Sequence, residues 1–449
     1  MATDSASRGQ WGSKLAFVLA AAGSAVGLGN IWKFPSEVAQ HGGAAFLVIY
    51  LACCFLVGFP VMVAEIAIGR RTGKNAVGAF KALSSNPVFP LVGLWGILCG
   101  VMILSFYTVV AGWTLSYVLG EAAHFLGFET VGNALMQHDA GVKTAVFAAL
   151  FMLVTILIVS SGVSKGIERA TKTLMPLLIS ILVIMIIYVM TREGSGEGVA
   201  MYLKPDFSKI DVELVFSAMG QAFFSLSLGM GLLITYGSYM DRKQNVVEAA
   251  AFVTLADAGI AFMAGLLIIP AMFVAQRAGI EIYQNGQLAN EDALVFNVLP
   301  QLFDSMGSAG FLLSVAFFLL LAVAALTSTI SLLEVPSAYA IDEFGMGRKK
   351  AAWMFGLTIT TLAIIVSFKL SLIGIFVLFF SKIGLPVGGL MICIFLAYVW
   401  KTRLALLEIE DGYPGVANSL FAKIWPVLIA VICPLLIILV LVTTLYHSF

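Results

Sequence analysis

Apolar stretches of about 20 or more residues recur along this chain of 449 residues, and each is long enough to cross roughly 30 Å of hydrocarbon as a helix. Eleven can be placed, near 12–40, 43–69, 89–119, 143–161, 166–190, 212–240, 245–276, 306–341, 351–367, 371–400 and 422–446. Lipid must therefore be the solvent for most of the surface. Composition agrees: 60% of residues are hydrophobic and 11% charged, against about half and a quarter in a soluble chain. A formal net charge of zero leaves no basic face for nucleic acid. The fold class that follows is an all-α polytopic membrane protein with no linker long enough to separate soluble domains.

Several chemistries are excluded early. Cys53, Cys54, Cys99, Cys393 and Cys433 lie inside apolar runs without CxxC spacing and read as small core hydrophobes. The four histidines are scattered, which argues against a clustered metal site. No paired catalytic carboxylates or Ser–His constellation suggests an enzyme. The apolar run from Leu15 continues without a small-residue exit, so the first span is expected to be retained rather than cleaved.

Orientation follows from lysine and arginine placement. With the N-terminus cytoplasmic, 17 of the 25 basic residues fall in inner segments, among them Arg70, Arg71, Arg242, Arg348 and Lys349. The longest polar connections, near 120–142, 191–211 and 277–305, are then external. The sequence thus predicts an inner (plasma) membrane protein with the C-terminus outside.

Two spans are interrupted. The first reads Gly23-Ser24-Ala25-Val26-Gly27-Leu28-Gly29-Asn30, and the sixth Ser225-Leu226-Ser227-Leu228-Gly229-Met230-Gly231. Glycine costs about 1 kcal/mol against alanine inside a helix, and unwound backbone at membrane depth is tolerated only against protein or a cavity. Close packing through Gly23 and Gly27 is the alternative for the first span alone. The matched pair instead points to a transporter site between inverted repeats, spans 1–5 (12–190) and spans 6–10 (212–400), with an appended span at 422–446.

Four stretches, AVGLGNIWKFP at 25–35, GVSKGIERATKTLMP at 162–176, SLSLGMG at 225–231 and ALTS at 325–328, resemble the neurotransmitter:sodium symporter family, bacterial amino-acid branch. The resemblance implies the leucine-transporter fold and sodium-coupled uptake. It places the substrate carboxylate at the backbone of Gly27, Leu28 and Gly29 and the hydroxyl of Tyr107, and the ammonium at Ala25, Phe224 and Ser225, with Ser227 nearby. Monoamine carriers of the family have aspartate where this chain has Gly27, so an amino-acid carrier is implied. Ile103, Tyr107, Phe224, Met230, Ser328 and Leu332 would line an uncharged side-chain pocket, which favours a hydrophobic or aromatic substrate. Plain core packing is the alternative for Ile103, Met230 and Leu332.

The resemblance also implies two sodium sites, one from Ala25, Asn30, Ser225 and Asp257, the other from Gly23, Val26, Ala324, Thr327 and Ser328. Hydroxyls such as Thr327 and Ser328 can instead bond back to their own helix. Asp257 lies in an otherwise apolar run, where a charge costs roughly 2.5–3.5 kcal/mol on insertion scales and needs a partner. Chloride-dependent relatives have a neutral residue in this region, so a fixed carboxylate predicts chloride independence and leaves proton exchange on the return step open. Glu65 is expected to support the broken sixth span. Gly166 and Pro176 have the spacing at which relatives unwind helix 5.

Arg8 and Asp342 match the family's inner gate. The outer gate departs from the pattern: Lys33 is present, but its acidic partner on helix 10 is replaced by Val377, and Glu37, one turn after Lys33, could take over. Lys382, inside the tenth span, is expected to face a polar cavity. Partners beyond an amino acid, sodium and lipid are not expected; no obligate protein partner is predicted. The open alternatives are a carrier of a small polar amino acid or osmolyte, or a channel or sensor of the same fold.

Overall fold

The computed structural model describes residues 9–284, 287–288, 294–306 and 308–448. Among these, nine helices are long and apolar enough to cross a membrane: Ala44–Thr72, Pro90–Phe125, Val142–Ser160, Val163–Met190, Val246–Arg277, Ala309–Phe344, Arg348–Phe368, Ser371–Glu410 and Leu420–Tyr446. A bent pair, Lys14–Ala25 with Gly29–Gln40, makes a further crossing with a 50° break. The expected sixth span is two short helices, Val212–Ser225 and Leu232–Gly237. The eleven-span reading holds only if this pair counts as one crossing. Spans are numbered below on that basis.

Local chemistry sets the helix ends. Ser13 caps the first helix by accepting from the Ala16 N–H at 3.1 Å, and Asp211 caps Val212–Ser225 through the Leu214 N–H at 2.7 Å. Asn245 opens the seventh span by accepting from the Glu248 N–H at 3.1 Å. Gly73, left-handed at φ 60°, closes the second. Boundaries differ from expectation mainly by extension: the third span continues to Phe125 and the eighth to Phe344. The tenth carries a left-handed residue at Lys401, φ 72°, after which Thr402–Glu410 forms its last helical segment.

The connection between spans 7 and 8 departs slightly from an all-helical fold, with a two-residue antiparallel pair of Tyr283–Gln284 and Gln287–Leu288. Helix 5 also departs from expectation. Val163–Glu168 is a π-helical turn running directly into Arg169–Met190, so this conformation is not unwound there. Gly166 is needed for closeness: an added Cβ would lie 2.1 Å from the Ile158 carbonyl oxygen.

Of the long helices, spans 2, 3, 7 and 8 are the most buried, with span 3 running against span 8 along much of its length. Side chains such as Ile184 and Ile187 are 65% and 62% exposed on the perimeter. That is the face an apolar solvent would cover.

Candidate functional site

Both breaks are real and adjoin each other. Helix ends at Ala25, and Val26 takes an extended ψ of 100°. The chain resumes at Gly29 as a π-helical turn to Lys33. In the other break, Ser227 (φ 55°), Gly229 (φ 80°) and Gly231 (φ 69°) are left-handed, and helix restarts at Leu232. Alanine at Gly229 would place its Cβ 2.2 Å from the Leu385 carbonyl oxygen. Glu65 secures this segment by accepting from the Gly229 N–H at 2.8 Å. Gln221 donates to the Gly29 carbonyl at 2.8 Å, joining the two breaks.

Between the breaks is a cavity of about 30 Å³ lined on one side by Ser24, Ala25, Gly27 and Gly29. Ile103, Tyr107, Ser328 and Leu332 form another wall, and Phe224, Ser225, Ser227 and Met230 the third. Leu28 is not among the lining residues; its N–H donates to the Tyr107 hydroxyl at 2.9 Å. Ser24 takes its place, accepting through its carbonyl from Ser328 at 3.2 Å and from Ser227 at 3.3 Å. A space of this size holds about one water, so the walls must part for any larger solute. No charged side chain lines it. A Cβ at Gly27 would fall 2.4 Å from Ser328 Oγ and 2.6 Å from the Tyr107 hydroxyl.

Beside the cavity is a buried polar cluster. Asn30, Tyr50 and Asp257 have no exposed surface, and Ser225 has 1%. The Asn30 amide nitrogen donates to Asp257 Oδ1 at 2.7 Å, to Ser225 Oγ at 3.0 Å and to the Asp257 carbonyl at 3.2 Å. Ser225 donates to the same carboxylate at 2.8 and 2.9 Å, and Tyr50 reaches Oδ2 at 3.2 Å. The oxygens thus converge on a donor, and Asn30 Oδ1 is turned to the Gly27 N–H at 3.0 Å. An all-oxygen set carrying one carboxylate suits a hard cation. Turning the Asn30 amide over would add a further oxygen.

The second expected ion set is also assembled. Thr327 Oγ1 lies 2.9 Å from the Ala324 carbonyl and 3.3 Å from that of Val26, and Ser328 Oγ 3.4 Å from that of Ala324. Gly23 lies against Thr327, whose Cβ would be 3.4 Å from an added Cβ. Thr327 and Ser328 therefore bond back to their own helix and also reach across to the first break. These oxygens too fit a hard cation.

The gate residues divide. Arg8 lies outside the described residues. Asp342 accepts from the backbone and side-chain nitrogens of Asn75 at 2.8 and 2.9 Å. Lys33 pairs with Glu37 at 3.7 Å and lies over the Phe224 ring, 5.3 Å from its centroid. Val377 is half-buried in the π-helical stretch Val377–Gly384. Lys382, expected in a polar cavity, is instead exposed and has no partner among the described residues.

Tyr50, Gln221 and Glu334 escaped the sequence reading. Glu334 is fully buried, accepting from Tyr239 at 2.6 Å and from both terminal nitrogens of Arg348 at 2.8 and 3.1 Å. The argument that singled out Asp257 would have found it, since it too is a carboxylate in an apolar run. Tyr50 and Gln221 carry no charge and give no such signal. A second cavity, about 410 Å³ and bordered by Gly9, Arg70, Arg71 and Arg242, lies away from both breaks.

The model of the sodium:neurotransmitter symporter family matches residues 8–145 and 136–448. The chain belongs to this family. It is 34% identical to an uncharacterized sodium-dependent transporter, YhdH, of Bacillus subtilis, over 96% of both chains. An uncharacterized sodium-dependent transporter of Methanocaldococcus jannaschii is 30% identical over 80% of this chain and 74% of its own. Among solved structures, that of MhsT in complex with L-phenylalanine superposes with a TM-score of 0.84 at 39% identity, covering 97% of this chain and all of that one. The chain is therefore a sodium-dependent symporter with the leucine-transporter fold, and its family consists of membrane transporters.

Proposed function

We propose that this symporter drives chloride-independent uptake of a hydrophobic or aromatic L-amino acid by alternating access, with the N-terminus cytoplasmic, the C-terminus outside and the two broken spans in corresponding places of inverted repeats. The observation that carries the substrate class is the crowding around Gly27. Tyr107 and Ser328 stand so close that a side-chain carboxylate has no room there, which supports a substrate that brings its own carboxylate to this backbone. The N–H groups at the start of the second half-helix are suited to that. The uncharged walls and the likeness to a protein solved with L-phenylalanine support an apolar side chain.

Two sodium ions would be held, one by Ala25, Asn30, Ser225 and Asp257, the other by Gly23, Val26, Ala324, Thr327 and Ser328. Each ion supplies positive charge to an otherwise acceptor-rich pocket. Asp257 provides the fixed negative charge, and Tyr50, Asn30 and Ser225 orient it. Asp342 and Arg8 would form the inner gate and Lys33 and Glu37 the outer.

The test is uptake into proteoliposomes under an imposed sodium gradient, with a competition panel of L-amino acids. Concentrative uptake of labelled L-phenylalanine or L-leucine without chloride is expected. Competition only by glycine, betaine or other small polar solutes would overturn the substrate class, and a strict chloride requirement would overturn the role of Asp257.

A further inference from the structure

Position 377 is valine, so Lys33 has no acid on span 10, and the polar contacts gather on Glu37 instead. Its carboxylate has three partners: Lys33 Nζ at 3.7 Å, His41 Nδ1 at 3.3 Å, and the hydroxyl of Ser217, which donates to Oε2 in a short contact. Lys33 and His41 flank Glu37 on its own half of span 1. Ser217 belongs to Val212–Ser225, the first half of span 6. One carboxylate therefore joins the two broken spans on the substrate side of their breaks.

The connection returns through Lys33, whose ammonium lies over the Phe224 ring. That ring lines the cavity and abuts Gly29, where an added Cβ would be 2.9 Å from Cε1. Ser217, Glu37, Lys33 and Phe224 thus form a closed circuit from span 6 to span 1 and back. The Lys33 and Glu37 side chains are only 19% and 17% exposed, so solvent screens the pair less than it would a rim pair.

We propose that Glu37 is a staple that makes the outer halves of spans 1 and 6 close as one unit and holds Lys33 over Phe224 as the lid of the pocket. It is a positioning residue and touches neither substrate nor ion. The proposal rests on the transport reading above, because that reading makes the cavity beneath Phe224 the substrate site. Without an acid at position 377, the ionic contact of the outer gate is internal to the moving pair of spans and does not clamp it to span 10.

The test combines Glu37→Ala, Glu37→Gln and Ser217→Ala with a reporter cysteine, Val377→Cys. All five native cysteines are buried, and the Val377–Gly384 stretch packs against Val212–Ser225, so thiol labelling there reads the gap between spans 6 and 10. Glu37→Ala is expected to raise the KM for sodium-driven L-phenylalanine uptake about ten-fold by lowering the population of the closed form, with kcat within about two-fold. Glu37→Gln should recover part of this, because its amide oxygen still accepts from Ser217. Ser217→Ala should add little in the Glu37→Ala background, and either single change should speed labelling of the reporter several-fold.

Effects of Glu37→Ala and Ser217→Ala that multiply, or labelling that stays at the parental rate while KM rises, would overturn the staple. Should Glu37→Ala fail to reach the membrane, Ser217→Ala and Glu37→Gln make the same comparison. Faster labelling in a protein that takes up no amino acid would leave the staple standing and remove the transport reading instead.

Discussion

Gly27 is the residue at which the chemistry is most confined. Replacing it by alanine puts a methyl within 2.4 Å of Ser328 Oγ, closer than van der Waals contact permits. Gly27→Ala should reduce L-phenylalanine uptake by more than ten-fold while the protein still reaches the membrane, as quantitative blotting beside transport would check. Asp257 offers a complementary test. Asp257→Asn keeps the size and removes the charge, and the proposed cation site, stripped of its only carboxylate, would lose its strongest attraction. Sodium-driven uptake in chloride-free medium should fall at least ten-fold, with partial return on adding chloride. Return without chloride would refute the fixed-charge role. Both residues were legible in the sequence, one as a glycine where monoamine carriers have aspartate, the other as a charge in an apolar run. The Tyr50 hydroxyl on the same carboxylate was not, because a tyrosine in a membrane helix has no pattern to separate ligand from filler.

At the scale of elements, the two breaks were readable because paired glycines weaken a helix wherever they fall. Glu65, expected from the family resemblance to support the sixth span, bonds to Gly229; the packing of that glycine on span 10 had no signal in the sequence. Gly229 is left-handed and packed on span 10, so Gly229→Ala combines a conformational penalty of about 1–3 kcal/mol with a clash against Leu385. A fall in the thermal midpoint in detergent should exceed that of Gly220→Ala, where an added Cβ meets nothing within 4 Å. The connection between spans 3 and 4 shows a different device. His138 stacks on Tyr117 with centroids 5.0 Å apart and meets Phe296 at 4.5 Å. Burial pushes its imidazole pKa down to about 4. The neutral form is the one that fits, so this tie is complete above the unfolded value of roughly 6.5 and is lost as pH falls towards 4. Amide protection factors in 129–141, taken relative to the intrinsic exchange rate at each pH, should fall between about pH 6 and pH 4, and His138→Phe should remove that dependence.

For the whole molecule, the sequence showed membrane residence, the order of spans and the pairing of the first with the sixth, because hydrophobic length and glycine position are local signals. Long-range ion pairs are not local, and they tie the molecule at the ends of its helices. Arg348 meets Glu334 between spans 9 and 8, and Arg70, with no exposed side-chain surface, meets Glu408 at 2.9 Å in the last turns of span 10. Removing one member of a buried pair costs about 3–5 kcal/mol, because it strands the other charge. Arg348→Met should therefore lower the thermal midpoint more than the double change Arg348→Met with Glu334→Leu. Equal losses would show that packing, not charge, is lost.

The Asn30 amide nitrogen, set among the oxygens of Asp257 and Ser225, bears on how the empty carrier resets. A donor already stands at the focus of those acceptors, so a cation's departure need not leave the carboxylate bare or force a proton onto it. In the proposed cycle the amide would serve as a placeholder. A symporter so equipped should return without cargo at a rate indifferent to an imposed pH gradient.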